Sequence, residues 1–327
     1  MRIGFTFGKY LPFHKGHQAL IDFALGRLDV LYVIVCASER ETIPVAVRSK
    51  WIRDIFPEES RLQIMELVYS EEILPNTSVS SREVSKVWAE HFKQLLPLVN
   101  AVVTSEPYGN FVAEYMDIQH ISFDLDRGQV PISASCIRQR VYDHWDYLPD
   151  PVKAYYQKKV VFLGTESTGK SSIAAALAER LPAVLVPEMG RDLIADSNHF
   201  TPDLLEKVAL THAWEIEKSL IVLTPLVLID TNVHITQSYA RSRFSNYLKL
   251  PAKVYEQNRA DLYLYLTADL PFEQDGTRLE ENDRNALDDS HRQTLADFGV
   301  AYVEVGGNWR ERMEKCEAII RDCFDLR

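Results

Sequence analysis

The sequence predicts an α/β protein built from two doubly wound parallel sheets, one in each half of the chain, and three observations carry that prediction. Short apolar runs alternate with amphipathic helical stretches, the pattern that parallel βαβ units impose. The alternation restarts near residue 159, close to the midpoint of the 327 residues. Each series opens with an apolar strand that runs directly into a glycine-bearing turn and then a helix.

In the first series, strands are expected over 3–7, 30–37, 99–104 and 118–123. A helix is expected to start at Ser80, where Glu83 completes a capping box. Val84, Val87, Trp88, Phe92 and Leu95 then share one face at helical spacing. In the second series, strands are expected over 160–163, 183–186, 225–229, 262–266 and 301–305. Helices are expected near 170–181, 203–223 and 288–298. Between the two series, Pro149, Asp150 and Pro151 mark a linker. The expected division is a first domain over 1–148, a linker over 149–158 and a second domain over 159–327.

Bulk properties set the class. At 46% hydrophobic and 25% charged residues, the composition is that of a globular protein with enough apolar surface for two cores. The net charge of −11 argues against a sequence-independent grip on nucleic acid, which needs a basic face. No apolar run reaches membrane-spanning length. The opening apolar stretch is too short for a signal peptide. Cys36, Cys136, Cys316 and Cys323 show neither CxxC nor zinc spacing, and read as reduced packing residues of a cytoplasmic protein.

The first candidate site follows the first strand. Gly8, Lys9, Tyr10, Leu11, Pro12, Phe13, His14, Lys15, Gly16 and His17 lead into an apolar helix. His14 and His17, three residues apart, can point the same way from the first helical turn. There they join backbone N–H groups and the positive end of the helix dipole, an arrangement suited to charge growing on phosphate oxygens. Gly8 and Gly16 would let backbone approach a phosphate. An isolated pair of this kind is more often two surface histidines; the preceding strand and glycine turn favour the functional reading. A second segment supports it: Pro131, Ile132, Ser133, Ala134, Ser135, Cys136, Ile137 and Arg138. Ser133 suits an N-cap, and Ser135 and Arg138 fall on the next turn, where hydroxyls and a guanidinium suit the outer phosphates of ATP. Together the two segments resemble the paired HxGH and ISxSxxR signatures of the nucleotidyltransferase superfamily.

The second candidate site is a P-loop. Gly164, Thr165, Glu166, Ser167, Thr168, Gly169, Lys170 and Ser171, with Ser172 after them, match GxxxxGK[ST] between a strand and a helix. Lys170 would reach the β- and γ-phosphates and Ser171 would ligate Mg²⁺. Asp230 ends an apolar strand, the place of a Walker-B carboxylate acting on Mg²⁺ or a bound water. Glu188 and Arg191 follow another strand, at the edge where open sheets bind ligands, and would hold an acceptor; a surface ion pair is the alternative. Arg278, after Asp275, Gly276 and Thr277, and then Arg284 occupy the position of a lid that brings an arginine over the γ-phosphate. Gly306, Gly307 and Asn308 would contact adenine.

Taken whole, the chain resembles the NadR-type bifunctional proteins, which join a nicotinamide mononucleotide adenylyltransferase to a ribosylnicotinamide kinase. The resemblance rests on the HxGH segment, on Ser105, Glu106, Pro107, Tyr108 and Gly109, on 132–138, on the P-loop, on Glu188, Met189, Gly190 and Arg191, on Ile229, Asp230 and Thr231, and on 275–278. It implies a Rossmann-like nucleotidyltransferase followed by a P-loop kinase. The second domain would phosphorylate nicotinamide riboside with Mg-ATP. The first would adenylylate the mononucleotide with another ATP to give NAD and pyrophosphate. The implied catalytic residues are His14, His17, Arg138, Lys170, Glu188, Asp230 and Arg278. Lys9, Ser133 and Ser135 would bind ATP in the first domain, and Arg191, Asn232 and Arg284 the acceptor in the second. A homo-oligomer is compatible with this reading. The family often has an aspartate where this chain has Asn232, and Cys136 interrupts the second signature. Some members carry an N-terminal helix-turn-helix domain, and this sequence starts at the catalytic strand. The rival readings are a coenzyme A pathway fusion of the same two domain types, and a regulator that binds NAD or ATP without turnover.

Overall fold

The computed structural model describes residues 1–76, 81–194, 200–269 and 281–327, with side chains omitted at 281–284. The chain divides into two compact units, Met1–Tyr155 and Tyr156–Arg327.

The first unit contains β1 (Ile3–Gly8), α1 (Lys15–Leu25), β2 (Val30–Ser38), α2 (Val45–Ile55), β3 (Leu62–Tyr69), α3 (Arg82–Leu95), β4 (Ala101–Thr104), α4 (Tyr108–Met116), β5 (Gln119–Ser122), α5 (Ala134–Gln139) and α6 (Asp150–Tyr156). Its sheet runs β3-β2-β1-β4-β5 with every pairing parallel. β1 sits at the centre, and the chain leaves it first toward β2 and later toward β4. That reversal opens a crevice beyond the carboxyl end of β1. Aromatic packing fixes the strand: Phe5 and Phe7 lie 5.1 and 4.6 Å from Phe92 of α3, measured between ring centroids.

The second unit contains β6 (Lys158–Leu163), α7 (Lys170–Arg180), β7 (Ala183–Val186), α8 (Met189–Leu193), α9 (Pro202–Leu220), β8 (Leu226–Asp230), α10 (Val233–Phe244), α11 (Ala252–Asn258), β9 (Leu262–Leu266), α12 (Glu281–Asp297), β10 (Val303–Val305) and α13 (Trp309–Phe324). Its sheet runs β10-β9-β6-β8-β7, again with parallel pairings throughout. β6 is the central strand, and Val160–Leu163 within it are fully buried.

Several expectations need correction. The expected linker over 149–158 is helix α6 followed by the start of β6. Helix α3 is capped by Ser81, not Ser80: the Ser81 hydroxyl accepts the Val84 N–H at 3.4 Å. Glu83 accepts from the Ser81 hydroxyl instead of closing a capping box. β3 and the helices α2, α4, α8, α10, α11 and α13 were not anticipated. β3 is an edge strand with Gln63, Glu66 and Val68 on its exposed positions, so it lacks the continuous apolar run of its neighbours. No helix among the described residues is long and apolar enough to cross a membrane.

Candidate functional site

In the first unit, the turn after β1 delivers His14 as the N-cap of α1 and His17 as its third residue. Each imidazole caps the helix. Gly16 N–H donates to His14 Nδ1 at 3.1 Å, and His14 N–H donates to His17 Nδ1 at 3.3 Å. The rings stack with centroids 3.7 Å apart. With both Nδ1 atoms accepting, each neutral ring carries its proton on Nε2. Burial and the nearby Arg127 charge push the His14 pKa down to about 4. Burial, His14 and Arg127 hold His17 well below the usual imidazole range. The pair is therefore uncharged near pH 7.

The histidines border a cavity of about 190 Å³ together with Gly16, Glu106, Arg127, Ser133 and Ser135. Ser133 caps α5, its hydroxyl accepting the Cys136 N–H at 3.2 Å. Arg138 donates to Ser135 Oγ at 2.9 Å and to the Leu11 carbonyl, joining this segment to the β1–α1 turn. A Cβ at Gly16 would lie 2.9 Å from His14 Cε1, so that glycine makes room for the histidine ring. A Cβ at Gly8 meets only ordinary contact with Tyr10. Lys9 is absent from the lining; its ammonium pairs with Glu41 at 2.7 Å.

Two arginines were not anticipated. Arg127, at φ 53°, reaches the Ile132 carbonyl and Glu106 and brings positive charge to the cavity. Arg48 is fully buried and donates to the Lys9 and Cys36 carbonyls at 2.6 and 3.0 Å, holding the β1–α1 turn against β2. Neither belongs to a local motif, so no sequence signal was available for them.

In the second unit, Gly164 has φ +131°, and a Cβ there would lie 2.4 Å from the Leu266 carbonyl oxygen. Only glycine fits. Gly169, at φ +85°, opens α7. Thr168 Oγ1 and Lys170 Nζ donate to the Thr165 carbonyl at 2.9 and 2.8 Å, which folds the loop over its own cation. Buried Arg312 of α13 braces the loop from behind. It donates to the Thr168 carbonyl at 3.0 Å and to the Gly307 carbonyl at 2.6 Å, and pairs with Asp269.

Beside the P-loop lies a cavity of about 370 Å³, with Gly164, Glu166, Ser167 and Lys170 on its wall. Glu188 and Arg191 line it as well, 3.3 Å apart. Burial, with Asp230 and Glu166 nearby, raises the Glu188 pKa against the pull of Lys170 and Arg191. Tyr239, not anticipated, lines the cavity and donates to Glu166 at 3.2 Å. Asp230 pairs in register with Phe162 of β6; it is buried, and its Oδ1 has no hydrogen-bond partner among the described residues.

Asn232 does not face the acceptor cavity. It is the N-cap of α10, its side chain accepting the His234 N–H at 3.1 Å, and Thr231 takes the lining position. Of the segment 306–308, Asn308 caps α13 reciprocally with Glu311. The expected lid residues 275–278, Arg278 among them, lie outside the described residues, as does the Arg284 side chain. Ser171 and Ser172 sit in the first turn of α7, and neither is on the cavity wall.

Comparison with known proteins agrees with this architecture. A family model described as an AAA domain matches residues 159–312. The "Trifunctional NAD biosynthesis/regulator protein NadR" of Escherichia coli (strain K12) is 26% identical, over 98% of this chain and 83% of its own length. Its counterpart from Salmonella typhimurium is 25% identical over the same shares. The chain resembles NadR-type proteins along nearly its whole length. It is a nucleotide-transferring enzyme of NAD biosynthesis. Over a shorter span, 31% of this chain and 57% of the relative, it is 29% identical to a nicotinamide-nucleotide adenylyltransferase of Ignicoccus hospitalis. Two crystal structures of NadR proteins share the fold over 100% of this chain and 97% of theirs. One, in complex with NAD and AMP-PNP, has a TM-score of 0.66 at 22% identity; the other, in complex with NR, has 0.68 at 21%.

Proposed function

We propose that this NadR-type chain makes NAD in two steps. The second unit transfers the γ-phosphoryl group of ATP to the 5′-hydroxyl of nicotinamide riboside. The first then joins the mononucleotide to the AMP portion of another ATP and releases pyrophosphate. The observation that carries the reading is a P-loop bordering a cavity lined by the half-buried carboxyl of Glu188, in the same chain as an uncharged histidine pair at a helix N-terminus. The reducing cytoplasm suits its four unpaired cysteines.

In the adenylyl step the mononucleotide's phosphate attacks the α-phosphorus of ATP, and negative charge grows on the non-bridging oxygens. Neutral Nε2–H groups of His14 and His17 donate to that charge without the cost of burying two cations. Ser135 and Arg127 on the cavity wall, with Arg138 bonded to Ser135 behind it, would take the departing pyrophosphate.

In the kinase step Lys170 exchanges the Thr165 carbonyl for phosphate oxygens, and Glu188 takes the 5′-hydroxyl proton. A carboxyl whose proton affinity is raised is better matched to that task than an ordinary one. The donor set also fits Mg²⁺: the unpartnered, buried Asp230 oxygen and the Ser171 hydroxyl are hard oxygen ligands, to which phosphates and water add. When bound, the ion would neutralise charge on the phosphates.

Incubation with nicotinamide riboside and Mg-ATP, followed by chromatography, tests the whole reading. Mononucleotide and NAD should both appear; neither appearing would refute it. Glu188→Gln should lower kcat/KM for the riboside by at least roughly tenfold, about 1.4 kcal/mol, with ATP affinity nearly unchanged. Steady-state rates with riboside varied at saturating ATP check this. An unchanged ratio would return Glu188 to a surface pairing role.

A further inference from the structure

Building on the kinase reading, we infer that His212 is a specificity-determining residue: its Nε2 hydrogen-bonds the carboxamide on the acceptor's ring. His212 lies on α9, whose buried face is otherwise nearly all apolar, with Leu205, Val208, Ala209, Ala213 and Ile216. A histidine inside such a stripe needs a polar partner. It is 2% exposed, and its Nε2 has no partner among the described residues. What it does have is a wall of the acceptor cavity.

That cavity has two kinds of surface. Gly164, Glu166, Lys170 and Glu188 form a polar part suited to phosphates and sugar hydroxyls. Ile194, Leu205, Val208 and Ile235 form an apolar part suited to a flat ring. His212 is the polar residue on the α9 wall, beside Leu205 and Val208.

The chemistry of its partner follows. Burial pushes the His212 pKa down to about 4, so the ring is neutral and offers one N–H or one lone pair. The cationic side chains on the described cavity wall are Lys170 and Arg191, and Arg191 is paired with Glu188. A ring carboxylate against α9 would therefore be desolvated without a countercharge. An uncharged amide can both donate and accept, and matches either tautomer of the imidazole.

The test is a crossed comparison of two enzymes with two acceptors. Wild type and His212→Leu are assayed with nicotinamide riboside and with the same riboside lacking the carboxamide. Wild type should prefer the carboxamide substrate by about tenfold to a hundredfold in kcat/KM, the range for a buried polar group left unpaired. In His212→Leu the preference should fall below about threefold, with KM for ATP unchanged. Equal losses on both acceptors, or no loss on either, would overturn the assignment. Calorimetric binding of both acceptors to wild type is a second arm that needs no folded variant; equal affinities there also overturn it. Wild type that phosphorylates neither riboside refutes the kinase reading itself, an outcome distinct from a lost preference.

Discussion

Lys170→Ala is expected to reduce riboside phosphorylation roughly a thousandfold, the scale for losing a preorganised stabilising donor, while mononucleotide plus ATP still gives NAD. The reason is local. Lys170 is the first residue of α7, it is largely buried, and its ammonium already bonds the Thr165 carbonyl within the loop. Alanine removes the charge and leaves Gly164 and Gly169 to shape the backbone. The first unit has its own sheet and its own cavity, so its reaction should continue. Separate assays of the two half-reactions, with circular dichroism to verify folding, decide the matter. Loss of both activities in a folded variant would contradict independent sites.

Replacing His14 or His17 by alanine should lower kcat for adenylyl transfer by about two orders of magnitude and leave riboside phosphorylation unchanged. Each variant also loses a helix cap, worth about 1 kcal/mol, so a modest fall in thermal stability is expected beside the catalytic loss. Parental rates in both variants would make the motif purely structural. The pH behaviour has a definite sign. The folded state holds both imidazoles neutral, whereas the unfolded chain protonates them near 6.5. The unfolded state thus binds more protons below that value, and stability falls as pH drops from about 6.5 toward 4. His14→Ala should make that decline shallower. Adenylyl transfer in the parent should show no histidine inflection near pH 6.5.

Much of this was legible in the residues because strand, turn and helix are local events. The apolar runs that became β1, β2, β6 and β9 are buried parallel strands, and such strands announce themselves without alternation. The P-loop and the histidine turn were legible for a related reason: glycine, proline and capping residues act within a few positions. β3 was not, because exposed Gln63, Glu66 and Val68 interrupt its apolar residues. Arg48, Arg312 and Tyr239 were not, because partners of each lie far along the chain, Arg312 meeting Thr168 across 144 positions, and Arg127 was not, because it stands in a loop outside any motif. Asn232 misled in the other direction. A polar residue after Asp230 and Thr231 reads as ligand-facing, yet capping α10 already occupies its side chain.

The central placing of β1 and β6 has a consequence for how each unit breathes. Local opening starts where a strand is paired on one side only, and amide exchange is slowest where both neighbours must separate first. β3, β5, β7 and β10 stand at the rims of their sheets, whereas each phosphate-facing turn hangs from the strand paired on both sides. Fraying at β3 therefore costs stability without disturbing the reactive geometry, whereas β5 and β7 lead directly into Arg127 and Glu188. Substitutions can accumulate on β3 at little expense to chemistry, while the turns after β1 and β6 inherit the rigidity of the last part of each unit to open.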